Sequence, residues 1–124
     1  MICRGIRGAI CAEANEVDAI LTATHHLLSQ IVAQNELSAD DVSSVIFTVT
    51  PDLDAAYPAR AARRMGWTKV PLLCLQEMAV EGNLPRCIRV LIHWNTNRPL
   101  DQIRHVYLGQ ARALRPDLIE EQLP

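Results

Sequence analysis

The sequence predicts an α+β fold, and three observations carry that prediction. Two segments, about 2–10 and 86–95, alternate apolar and other residues at period two, the mark of strands with one buried face. A long stretch, about 16–34, repeats its apolar residues at the helical period. Two further β-branched or apolar runs, at 45–50 and 69–75, are separated by one short helical segment and not by regular long helices.

Each element has its own justification. In strand 2–10, Arg7 shares a face with Cys3, Gly5, Ala9 and Cys11, whose small side chains leave room beside a guanidinium. In helix 16–34, Val17, Ile20, Leu21, Leu27, Leu28, Ile31 and Val32 form the apolar stripe, with Asn15 expected as N-cap. Ser38-Ala39-Asp40-Asp41 reads as a capping box holding one short turn. Strand 45–50 ends at Pro51-Asp52, which opens a loop. A short helix over 58–65 has Pro58 at its first position and Gly66 just past its end, and it carries Arg60, Arg63 and Arg64. Glu81-Gly82-Asn83 reads as a turn between strands 69–75 and 86–95. The segment 99–114 supports two readings. Leu100, Ile103, Tyr107, Ala111 and Leu114 fit a helix after Pro99, whereas Val106-Tyr107-Leu108 fits a strand. Arg115-Pro116-Asp117 ends whichever forms.

Composition narrows the function. A chain of 124 residues is of single-domain length, so one domain over 1–124 is expected. It is 49% hydrophobic and 21% charged, which places it among globular chains. A net charge of −2 argues against a nucleic-acid partner, since phosphate backbones select basic surfaces. No apolar run approaches membrane-spanning length and the N-terminus has no signal-peptide pattern, so the cytoplasm is the expected compartment and no membrane partner is expected. Cys3, Cys11, Cys74 and Cys87 show no metal-ligand spacing and read as reduced thiols in apolar stretches. With only five aromatic residues, a chain this small has reason to bury surface by oligomerising.

The chemistry rests on arginines. Arg89 lies within the apolar run Cys87–Trp94, with Cys87, Leu91 and His93 on its face. A permanent cation within a strand is costly unless paired. Arg7 repeats the arrangement, so the pair reads either as two structural ion pairs or as a bidentate grip on an anionic ligand. No nucleophile elbow, phosphate loop or metal motif is present, and neither metal nor cofactor is expected. His25 and His26, adjacent on a helix, read as surface residues, and His93 and His105 as isolated ones. Cys74 reads as a packing or hydrogen-bonding thiol in preference to a nucleophile, since no histidine is set beside it by sequence. Glu77 is either a surface carboxylate or a buried partner for an arginine or a ligand hydroxyl. The set Arg7, Arg60, Arg63, Arg89 and Arg115, with Tyr57, Tyr107, Cys74 and Glu77, suits an anionic substrate and a reaction that needs charge stabilisation.

The blocks Arg4-Gly5-Ile6-Arg7-Gly8-Ala9, Thr50-Pro51-Asp52-Leu53, Pro58-Ala59-Arg60-Ala61, Gln76-Glu77-Met78 and Arg86-Cys87-Ile88-Arg89-Val90 resemble the AroH-class chorismate mutases. So do Asp101-Gln102-Ile103-Arg104-His105-Val106-Tyr107-Leu108 and Leu114-Arg115-Pro116-Asp117-Leu118, and the likeness spans nearly the whole chain. The resemblance implies a mixed five-stranded sheet packed on one long helix plus a short helix, with 106–112 as a strand. It implies a homotrimer, a pseudo-α/β-barrel with active sites between subunits. It implies conversion of chorismate to prephenate, a unimolecular rearrangement that needs no cofactor. Arg89, Arg7 and Glu77 would then be catalytic, and Tyr107, Cys74, Tyr57, Arg60, Arg63 and Arg115 would bind substrate. Tyr57, Arg60, Arg63 and Cys74 would come from one subunit, and Arg7, Glu77, Arg89 and Tyr107 from the next. Tyr57 and Arg60 stand where Phe and Lys occur in some relatives, and they keep the ring face and the charge. The division accommodates the opposite strand parity of Cys74 and Glu77.

Overall fold

The computed structural model describes residues 1–114. Five strands form one mixed sheet: β1 (Ile2–Cys11), β2 (Val42–Val49), β3 (Leu72–Gln76), β4 (Cys87–Thr96) and β5 (Val106–Tyr107), in the order β3-β2-β4-β1-β5. β4 pairs antiparallel with both β1 and β2, while β3 and β5 add in parallel at the two edges. Helix α1 (Val17–Asn35) covers one face of the sheet and α2 (Ala59–Arg64) lies beside it. Among the described residues, no helix is long and apolar enough to cross a membrane.

The alternation read from sequence divides the sheet as expected. Ile6 and Ile10 of β1, Val45 and Phe47 of β2, and Ile88, Val90, Ile92 and Trp94 of β4 are buried with Ile20, Leu27, Leu28 and Ile31 of α1. Gly8 faces the helix within this layer. A Cβ there would lie 2.9 Å from Ile31 Cδ1 and 3.0 Å from the Val106 carbonyl, so only glycine lets α1 and β5 close on β1. The opposite face is different. Leu73 is 54% and Leu75 47% exposed, and Ile46 and Leu91 are only half-buried. Around β2, β3 and β4 this is an apolar sheet face left open to solvent in the single chain, whereas near β5 it is covered by the segment Gly109–Leu114, which buries Ala9 and Cys87.

Several boundaries differ from the sequence reading. Glu16, not Asn15, is the N-cap of α1, and it makes no side-chain cap. The Asn15 amide is engaged elsewhere: its oxygen accepts from the Asp54 and Ala55 amides at 3.0 Å each, and its nitrogen donates to Asp54 Oδ1. Two unpaired loop donors compete successfully for the oxygen a cap would use. Pro58 occupies the N-cap of α2, one place ahead of the first position, already with helical φ. Ser38 caps the single 3₁₀ turn Ala39–Asp41.

The segment 99–114 is neither one helix nor a strand over 106–112. It contains a 3₁₀ turn at Leu100–Gln102, the two-residue β5, and a 3₁₀ helix at Gly109–Leu114. The last rung is the Leu108 amide on the Ala9 carbonyl; Gly109 then takes φ +57, which turns the chain off the sheet edge. Asn35 fixes where β5 begins. Fully buried at the end of α1, it accepts from the Arg104 amide at 2.9 Å and donates to the Arg104 and Ile31 carbonyls. His105 is likewise not isolated, because its Nδ1 accepts the Arg7 amide at 3.0 Å. These contacts set Tyr107 beside Ala9.

Candidate active site

Strand register assembles one cleft from the open face of the sheet. Tyr107 is opposite Ala9, Ala9 opposite Arg89, and Arg89 opposite Thr48, which puts four strands in one transverse row. Between Tyr107 and Arg89, Ala9 is fully buried and packs with Cys87, Tyr107 and Ala111, without lining the cleft itself. Arg7 lies two residues before Ala9 on the same face. Glu77 follows β3, and its amide extends the ladder by donating to the Val49 carbonyl at 2.8 Å. Arg7, Glu77, Arg89 and Tyr107 thereby line a common cleft of about 470 Å³, together with Ile46, Thr48 and Leu91. That volume falls within the range of small-molecule sites.

Arg89 is partly buried and incompletely paired. Its Nη2 donates to Asn83 Oδ1 at 3.3 Å, and its Nε lies 3.9 Å from Glu77 Oε1. That separation is an ion pair, but it is beyond hydrogen-bond reach. Arg7 has no carboxylate within ion-pair range among the described residues. The two structural ion pairs considered from sequence are therefore reduced to one loose one, and the guanidiniums keep donors for an anion.

A second cleft, of about 550 Å³, opens on the other side of β3. It is lined by Tyr57, Arg60, Cys74, Leu53 and the loop after β2. Cys74 pairs with Phe47, a core residue, so it faces the helices while Glu77 borders the opposite cleft. Burial pushes the Cys74 thiol above its ordinary value of 9.0, and the Ala59 amide and the Arg63 charge only partly offset this. Arg63 is exposed on α2 and lines neither cleft, although its charge reaches Cys74. Arg115 lies outside the described residues.

The loop that supports Arg89 is tied down by residues of the Thr50-Pro51-Asp52-Leu53 block. Asp52 Oδ2 accepts the Arg86 amide at 2.9 Å, and Thr50 Oγ1 accepts the Cys87 amide at 2.9 Å. Arg86 itself sits at φ +50, a strained conformation for a non-glycine residue, held where β4 begins. Burial pushes the Cys87 thiol up to about 11. His93 is held by Ser44 at 2.8 Å and lies outside the residues lining the Arg89 cleft.

Sequence reasoning missed Asn83 and Thr48. From sequence Asn83 reads only as part of a turn, and its contact with Arg89 depends on how that turn folds back. Thr48 is an ordinary residue for a strand, and nothing in its sequence neighbours marks it.

Comparison with known proteins identifies the family. Residues 3–118 match the family described as chorismate mutase type I. The chain is 52% identical to chorismate mutase AroH of Thermus thermophilus over 120 residues, 96% of this chain and 98% of that protein. It is 47% identical to chorismate mutase AroH of Bacillus subtilis over 119 residues, 95% of this chain and 94% of that protein. The solved structure of a chorismate mutase from Clostridium thermocellum superposes with a TM-score of 0.87 at 48% identity, covering 89% of this chain and 98% of that one. With this fold, these clefts and a family match over nearly its whole length, the chain belongs to the type I chorismate mutases.

Proposed function

We propose that the protein is an isomerase, an intramolecular transferase that converts chorismate to prephenate in phenylalanine and tyrosine biosynthesis. It works as a single catalytic domain in a cytoplasmic homotrimer. The observation that carries this reading is the separation of the arginine-rich residues into two half-sites on opposite sides of β3. Each half-site lacks what the other has. A cleft holding Arg7, Glu77, Arg89 and Tyr107 is completed when a neighbouring copy brings its Tyr57, Arg60, Arg63 and Cys74 against it. The exposed apolar face around Leu73 and Leu75 supplies surface for that assembly.

The rearrangement is concerted and unimolecular: one carbon–carbon bond forms as the ether carbon–oxygen bond breaks. No proton need move. The protein's work is to hold the enolpyruvyl side chain over the ring and to stabilise charge growing on the ether oxygen. Arg89 is assigned to the ether oxygen and a carboxylate, Arg7 and Tyr107 to the side-chain carboxylate, and Glu77 to the ring hydroxyl, with Cys74 nearby. Arg60, Arg63 and Arg115 attract and enclose the dianion, and Tyr57 closes over the ring. A trimer that merely captured a carboxylate at its clefts would use the same arginines. Glu77 argues against that alternative, because a carboxylate in the cleft repels a simple anion. Loss of chorismate absorbance on adding purified protein tests the reading, and a protein that binds chorismate without consuming it would overturn it.

A further inference from the structure

Among the described residues, two buried side-chain polar atoms have no hydrogen-bond partner: Thr48 Oγ1 and Arg89 Nε. They belong to residues directly opposite each other in the β2–β4 register, and both residues line the same cleft. One is an N–H donor and the other a hydroxyl able to accept. Native proteins leave few buried polar groups unpaired, and two on facing residues call for a common explanation. Either atom alone would be a local defect. Together they are a donor and an acceptor on facing residues.

We propose that Thr48 is a positioning residue for Arg89, its hydroxyl accepting the Arg89 Nε–H when substrate occupies the cleft. The inference rests on the isomerase reading above. Without ligand, Nε keeps only the loose company of Glu77 at 3.9 Å. When Glu77 turns to a substrate hydroxyl, Nε loses that charge and Thr48 Oγ1 becomes the acceptor within the same row. Asn83 already takes Nη2 at 3.3 Å. With Nε and Nη2 both held from the protein side, the plane of the guanidinium is fixed, and the remaining N–H groups are directed at the ligand. Thr48 need not touch the substrate to matter. It acts on the orientation of a donor whose alignment counts most in the transition state.

The test compares Thr48→Val, which keeps the shape and removes the hydroxyl, with Thr48→Ser, which keeps the hydroxyl and removes the methyl. Thr48→Val is expected to lower kcat at least about tenfold, the effect of losing one hydrogen bond to a charged group, with KM changed less than about threefold. Thr48→Ser should retain kcat within about twofold. Thermal unfolding of ligand-free Thr48→Val should match or exceed the parent, because that state loses an unpaired buried hydroxyl and no bond. If Thr48→Val does not fold, Thr48→Ala takes its place, with the same kinetic expectation. Unchanged kcat in Thr48→Val, or an equal loss in Thr48→Ser, overturns the positioning role while leaving the isomerase reading intact. An unsubstituted protein that does not consume chorismate overturns both.

Discussion

Cys74 and Glu77 are three residues apart but belong to different clefts: Cys74 opens on the side of Tyr57 and Arg60, Glu77 on the side of Arg7 and Arg89. A strand has period two, so an odd separation crosses the sheet. β3 is one of the two edge strands, and the two clefts lie on either side of it, as the proposed sharing of sites between subunits requires.

That relationship predicts complementation between defective subunits. Arg89→Ala should inactivate one half-site, and a Tyr57→Ala, Arg60→Ala double variant the other. Each variant alone should be nearly inactive. Unfolded together and refolded in equal amounts, they should regain activity, because about a quarter of the clefts in a randomly mixed trimer would combine two intact halves. Sedimentation should show trimers throughout. No recovery in mixed trimers would place the whole site within one chain.

The Cys74 thiol should be a neutral hydrogen-bonding group. Its pKa lies above 9.0 because burial outweighs the Ala59 amide and the Arg63 charge, so the thiolate is scarce at neutral pH. Cys74→Ser is therefore expected to keep kcat within about threefold, as a hydroxyl replaces the thiol in the same role. Abolished turnover in this variant, or a covalent adduct on Cys74 seen by mass spectrometry, would indicate nucleophilic chemistry instead.

The long elements were legible because their signals are periodic and local. β1, β4 and α1 follow from alternation and from the helical stripe, and the same alternation placed Arg7 and Arg89 on one face. The region after Thr96 was legible only in part: Val106-Tyr107-Leu108 reads as a strand and β5 forms there, but the turns around it are set from outside. Asn35 takes the Arg104 amide, Arg7 gives its amide to His105, and Gly109 turns the chain away. Apolar spacing cannot report such bonds. The N-cap of α1 failed similarly, because Asn15 serves a loop nearly forty residues downstream in sequence. Arg7, Glu77, Arg89 and Tyr107 were all named from sequence, and so were Tyr57, Arg60 and Cys74. Asn83 and Thr48, which surround Arg89 without any chemical signature of their own, required the folded chain.

Asp52 should act on stability through the loop that launches β4. Desolvation alone would raise its pKa, but hydrogen bonds from the Thr50 hydroxyl and the Arg86 amide outweigh it and hold the carboxyl below its ordinary 3.8. A folded pKa below the unfolded one means that the unfolded chain binds more protons in acid. The contribution is thus fully present above 3.8 and lost as pH falls through the folded value. Asp52→Ala should destabilise the protein by about 1 kcal/mol at neutral pH, the side chain being solvent-exposed, and should flatten the acid limb of the stability curve. Denaturant unfolding at pH 7 and pH 3 checks both. An unchanged acid limb would show that the carboxylate carries no such linkage.

Arg89 and Arg63 should fail in different ways, which tests where charge stabilisation resides. Arg89 sits in the cleft, held by Asn83 and flanked by Glu77, and is the residue proposed to meet the ether oxygen. A preorganised donor of this kind contributes roughly 3–4 kcal/mol, or two to three decades in rate. Lysine keeps the charge but loses the planar fork, and it cannot hold Asn83, a carboxylate and an ether oxygen at once. Arg89→Lys is therefore expected to lower kcat at least about a hundredfold with a smaller change in KM. Arg63 is exposed on α2 and lines neither cleft, so Arg63→Ala should act mainly by raising KM, through weaker attraction of the dianion. That rise should shrink as ionic strength increases, while the Arg89→Lys defect should persist. Steady-state kinetics of both variants at low and high salt would separate the two roles, with circular dichroism confirming folding. If Arg89→Lys raised KM alone, Arg89 would be a binding residue only, and the stabilisation of the breaking bond would have to come from elsewhere in the cleft.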